Sequence, residues 1–143
     1  MATIHEQILA RLQVLLAGLA SVQVVDRSRK VGLERDQTPA IVLRPGPESS
    51  ERFSLHVDRS VFELEVIVQA RGDPWDSITD PIVDDAHRLI FADTALQALV
   101  ADMRRTAREP EDLEADATAG QETLRYRITY LTRANDLSAP PTF

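Results

Sequence analysis

Apolar residues recur at three- and four-residue intervals along the first twenty positions: Ile4, Ile8, Leu12, Leu15, Leu16 and Leu19. That spacing draws one apolar stripe along a helix. Thr3 stands at the N-cap position with Glu6 three residues on, the pattern of a capping box, and Gly18 lies near the expected end. A short β-rich run, 22–26, follows, then a polar stretch, 27–38, expected as a loop. Pro39 opens an apolar run, 40–44, that predicts a strand. Pro45-Gly46-Pro47 is expected to stop it, with 48–52 as a surface turn.

The pattern then changes period. Residues 53–57 predict a strand, and 61–71 predict the strongest one in the chain. In the latter, Phe62, Leu64, Val66, Val68 and Ala70 alternate with Glu63, Glu65, Gln69 and Arg71. Period-two alternation means a sheet buried on one side, usually antiparallel. Gly72-Asp73-Pro74 breaks it. Asp73 is expected to cap a helix with Pro74 at its first position. Ile78, Ile82, Ala86, Leu89 and Ile90 mark that helix's inner stripe, and Pro81 moves its expected main start to Asp80. Residues 93–100 predict a short third helix. The last third predicts a polar hairpin. Its first arm, 103–118, is an edge or bulged strand because of Pro110. Ala119-Gly120 is the expected turn, and 123–133 returns with Leu124, Tyr126, Ile128 and Tyr130 inward. The predicted order is α-β-β-β-β-α-(α)-β-β. It implies a two-layer α+β fold: a mostly antiparallel sheet, two main helices on one face and an extended C-terminal hairpin. Residues 1–133 are expected to form one domain and 134–143 a flexible tail.

Composition narrows the function classes. The chain has 143 residues, 43% hydrophobic and 27% charged, within the range of one globular domain. Its net charge of -7 argues against a dedicated nucleic-acid binder, which needs clustered cations for phosphates. Lys30 is the single lysine; arginine supplies the other cations. With no cysteine, disulfides, thiolate catalysis and cysteine-bound zinc are excluded. The apolar run 14–20 is too short to cross a bilayer, so no membrane partner is expected and the chain is placed in the cytoplasm.

Candidate chemistry is sparse. Asp76, Asp80 and Asp84 are four apart and share a helix face, with His87 three residues beyond. Such carboxylates suit a divalent cation, or simply the positive end of a helix. A metal-dependent hydrolase on these residues is the alternative from another class, testable by calorimetry with manganese or calcium. No Gly-x-Ser-x-Gly elbow and no glycine-rich phosphate loop occurs. Catalytic residues and cofactors are therefore assigned as none. Glu63 and Glu65 lie on one strand face. Arg104, Arg105 and Arg108 lie on one arm of the last hairpin and Arg125, Arg127 and Arg133 on the other, interleaved with acids. These describe either a solvated edge or a surface for a neighbour. The candidate interface residues are Glu63, Glu65, Arg71, Asp73, Arg104, Arg108, Arg125 and Arg127.

Five stretches stand together: the N-terminal amphipathic helix, Thr38-Pro39-Ala40-Ile41-Val42-Leu43, Phe62-Glu63-Leu64-Glu65-Val66-Ile67-Val68 with Arg71-Gly72, His87-Arg88-Leu89-Ile90-Phe91 with Asp93 and Leu96, and the run from Leu124 to Arg133 before Asn135-Asp136. In these the sequence resembles the tail terminator, or tail completion, proteins of long-tailed bacteriophages and prophages. Ala98-Leu99 stands where the family often has a glycine turn. The resemblance implies a subunit that forms a ring, expected to be a hexamer, on the end of the tail tube. Such a ring stops polymerisation and meets a head-completion protein. DNA passes its lumen without specific binding, and the virion tail is the final location. A head–tail connector, or neck protein, of similar fold is the neighbouring alternative.

Overall fold

The computed structural model describes residues 1–27, 38–113 and 118–141. Its elements run α1 (Ile4–Ala17), β1 (Val24–Arg27), β2 (Ala40–Ser54), β3 (Val57–Arg71), α2 (Asp76–Ala92), α3 (Thr94–Leu99), β4 (Asp102–Asp112) and β5 (Ala119–Arg133). The strands form one sheet in the order β1-β2-β3-β5-β4. Only β1 and β2 pair in parallel; the other neighbours are antiparallel. The fold is α+β as expected, with one fewer strand before α2 than the sequence pattern implies.

The core shows why. Ile8, Leu12 and Leu16 of α1, Ile82, Ala86 and Ile90 of α2, and Leu64, Val66, Leu124, Tyr126 and Ile128 of the sheet form one buried cluster. All three helices therefore lie on one sheet face. Each such fully buried large apolar side chain contributes about 1.5–3 kcal/mol. Thr3 caps α1 by accepting from the Glu6 N–H at 3.1 Å. Glu6 does not complete a capping box: its carboxylate accepts two bonds from Arg27 of β1, at 2.7 and 2.8 Å, which hold it below the usual carboxylate range.

Several boundaries differ from expectation. Pro45-Gly46-Pro47 does not end a strand, and 48–52 is not a turn; both lie within β2. Strand β1 pairs β2 only as far as Leu43, so beyond it the outer side of β2 is a sheet edge where proline removes no ladder donor. The residual mismatch is absorbed by a bulge between Pro45 and Glu48. The turn lies instead at Leu55 and His56, between β2 and β3. Ala119 and Gly120 are likewise not a turn but the start of β5, opposite Arg71 and Ala70. Helix α2 begins at Asp76, not Asp80, and Trp75, not Asp73, occupies its N-cap without a side-chain bond. Pro81 is tolerated inside it because the carbonyl left unbonded belongs to exposed Ser77. Of the expected loop 27–38, Arg27 is in β1, and 28–37 lies outside the described residues, as does 114–117 of the last hairpin. Residues beyond β5 make backbone bonds: Ile4 N–H donates to Leu137 at 2.8 Å and Arg133 N–H to Ala139 at 3.1 Å.

Candidate functional site

Alternation along β3 and β5 decides which charges can meet. Even-numbered residues point to the helices; odd-numbered residues, Glu63, Glu65, Arg71, Arg125 and Arg127 among them, point to the other face, which no described helix covers and where Ala40, Val42 and Ile67 form a second buried cluster. Strand β4 adds Arg104 to that face, opposite Arg127.

Two rows of charge cross this face. In one, Arg125 donates to Glu65 at 2.9 Å and to both oxygens of Glu109 at 3.1 and 3.3 Å, so three strands are joined and one guanidinium serves two carboxylates. These bonds, the Glu109 pair foremost, raise the Arg125 pKa further. In the other, Glu63, Arg127 and Arg104 are adjacent by register. Arg104 has only Asp102 nearby, at 3.8 Å, and Arg127 makes no ion pair among the described residues. Beside Arg127, where β2 bulges, a recess of ≈ 350 Å³ opens between Pro47, Ser49, Val61 and Glu63.

The six hairpin arginines do not form one patch. An extra residue between Arg105 and Ala107 shifts the register of β4 by one, and Arg108 thereby turns to the helix side. There it donates to Glu122 at 3.0 and 2.9 Å and to Asp80 at 2.9 Å. Glu122 is buried and also accepts from the Thr79 hydroxyl at 3.0 Å. Arg71 ends β3 half-buried opposite Ala119, and Asp73 is exposed in the connection to α2.

Asp76, Asp80 and Asp84 lie exposed along α2. Asp80 pairs with Arg108, and Asp84 with Arg88 at 3.0 Å. His87 turns from the acids to Tyr126, its Nδ1 2.8 Å from the phenol oxygen. Burial lowers the His87 pKa, Arg105 adds to that, and Asp84 opposes it. Burial raises Tyr126 to about 12. A groove of ≈ 440 Å³ between α2 and β4 is lined by Asp80, Asp84, His87, Arg105 and Arg108. Among the described residues no group of three His, Asp or Glu side chains is placed to hold a metal ion, and no helix is long and apolar enough to cross a membrane.

Three positions were not singled out from the sequence. Asp93 caps α3 through the Leu96 N–H at 2.8 Å and clamps Arg11 of α1 at 2.8 and 2.6 Å. The Arg11 bonds, aided by that cap, lower its pKa to about 2. Its signal was present, an aspartate just before a helical run. Trp75 donates to Asp112 at 2.8 Å and lies flat on Gly120, where a β-carbon would meet the indole at 2.0 Å. Glu48, beyond the prolines, accepts from Tyr130 at 2.6 Å.

No family model matches the chain, and no curated protein matches it. Among solved structures it is similar to a chain of the virion of a native gene transfer agent particle. The two share 15% identity over 90% of this chain and 92% of that one, with a TM-score of 0.45.

Proposed function

We propose that this chain is a structural subunit of a phage-like tail, acting as its terminator. Copies associate into a ring, expected to be hexameric, that caps the tail tube, halts its growth and receives a head-completion protein. DNA passes through without specific binding. Assembly takes place in the host cytoplasm, and the subunit stays in the virion tail.

The observation that carries this reading is the charged part of the sheet face opposite the three described helices. It spreads charge in rows across strands, where an enzyme would converge a few groups on one enclosed point. Rows of complementary charge give register and specificity between subunits. The exposed outer half of β2, with Phe53 and Leu55 at its tip, adds surface for a neighbour. The sequence resemblance to tail terminators supports the same reading. The test is to polymerise a tail-tube protein from the same source with and without this chain, and to measure tube lengths by electron microscopy. Short tubes with ring density at one end are expected. Tubes of unchanged length would overturn the terminator reading, and binding to a head-completion protein with no effect on tubes would reassign the chain to the neck.

A further inference from the structure

We propose that the Glu63–Arg127–Arg104 row receives the acidic stripe of helix α2 from a second copy of this chain. The inference rests on the ring-forming reading and names the two surfaces that meet.

Arg104 and Arg127 are direct cross-strand partners. Like charges so placed, with β-carbons about 5 Å apart, repel and destabilise the sheet. One row away the same face matches Arg125 with two carboxylates. The fold can therefore supply acids here, and leaves Arg127 without an ion pair among the described residues. Glu63 lies across from Arg127 without bonding it and Asp102 stands 3.8 Å from Arg104, so both guanidinium groups keep capacity for the carboxylates of a neighbour.

The chain carries a fitting donor. Its net charge is -7, and Asp76, Asp80 and Asp84 repeat every fourth residue on exposed α2. Side chains at that spacing stand about 5–6 Å apart, close to the spacing of the two guanidinium stems. Asp76 makes no ion pair among the described residues. The pairs of Asp80 with Arg108 and Asp84 with Arg88 are solvent-exposed on at least one side, so sharing these acids costs little. The recess beside Arg127 offers room for an incoming carboxylate.

The two surfaces differ: the acids border β4 on the helix side, where Asp80 bonds Arg108, and the arginine row lies on the other face of the sheet. Copies joined through two unlike surfaces meet head to tail. Such contacts give a ring when the rotation closes.

Charge reversal tests the pairing. Arg104→Glu with Arg127→Glu reverses the receiving surface; Asp76→Arg with Asp84→Arg reverses the donor. All four positions are exposed, and circular dichroism melts verify folding. Sedimentation velocity across protein and salt concentration reads association. The wild type is expected to associate, less so at high salt. Each double variant is expected to associate roughly tenfold or more weakly, and an equimolar mixture of the two variants to recover it. A wild type that stays monomeric overturns the proposal, as do variants that associate unchanged or a mixture that recovers nothing. A fluorescein-labelled DNA duplex provides the competing arm. Loss of duplex binding in the arginine variant, with self-association unchanged, would make the row a phosphate surface and overturn the proposal. Arginine variants that self-associate like the wild type and still set tube length would leave the tail reading standing and overturn this pairing.

Discussion

Arg125 and Arg127 stand two residues apart on one strand and one sheet face, yet their surroundings are opposite. Arg125 lies between Glu65 and Glu109, bonded to both. Arg127 lies between Glu63, in register but not paired, and a second arginine. The difference follows from what β4 places opposite each. The bulge after Arg105 brings Glu109 within reach of Arg125 and sends Arg108 to the far side of the sheet. One added residue thus separates a row bonded within the chain from a row in which two arginines face each other. Sequence proximity of charges says little about which of them are available; register decides it.

Closed charge should cost stability when broken, and open charge should not. The reference for a large loss lies on the helix side, where Gly120→Ala would drive a β-carbon into the Trp75 ring at 2.0 Å. Overpacking against an indole that is itself buried and hydrogen-bonded is expected to cost about 3 kcal/mol in urea denaturation. Arg108→Ala comes next. It strips buried Glu122 of its bidentate partner. Breaking a wholly buried pair costs about 3–5 kcal/mol, but solvent reaches Arg108, so about 2 kcal/mol is expected. Arg125→Ala should cost about 1 kcal/mol, because the network is half-exposed, and the loss should shrink with added salt. An Arg125→Ala variant as costly as Gly120→Ala would break the distinction between core and surface charge.

Much of this fold was legible in the chain. The α1 stripe, the alternation of β3 and the inward set Leu124, Tyr126, Ile128 and Tyr130 all stand in the sequence as they stand in the structure, because period maps directly onto burial. The errors share one cause. Pro45 and Pro47 were expected to stop a strand, and Ala119-Gly120 to form a turn, on local chemistry alone. Whether proline is tolerated depends on where β1 ends, and why glycine sits at position 120 depends on Trp75, forty-five positions away. The charged face was less legible still. Glu63, Glu65, Arg125 and Arg127 could be assigned to it by parity, but a single bulge in β4 reassigned Arg108 and set Arg125 and Arg127 apart. Bulges leave no reliable mark in one sequence.

A smaller effect, on the helix side of the sheet, appears with pH. His87 is held against Tyr126 with its pKa lowered, so the folded chain binds fewer protons than the unfolded chain once the pH drops below the ordinary histidine value of 6.5. Its contribution is full above that value and is lost as the pH falls toward the lowered pKa. Asp93, lowered from 3.8 to about 2, acts in a separate window: its contribution is full above the unfolded value and lost only as the pH falls through about 2. Melting temperature should therefore begin to fall below about pH 6.5, and His87→Gln should flatten that first decline while leaving the acid limb in place. A decline unchanged in the variant would assign it to other groups.

The smallest expected effect is the most informative. Arg127→Ser removes a charge that has no ion pair among the described residues and relieves its opposition to Arg104. Stability should stay within about 0.5 kcal/mol of the wild type and rise slightly at low salt, where repulsion is least screened. Arg125→Ser, two residues away, should move the opposite way under the same conditions. If both variants lose stability alike, Arg127 is satisfied within the folded chain and the two rows do not differ in kind. If only Arg125→Ser loses it, the sheet holds a like-charge contact that its own fold does not need. That outcome is the one on which the proposed pairing of Arg104 and Arg127 with a carboxylate surface depends.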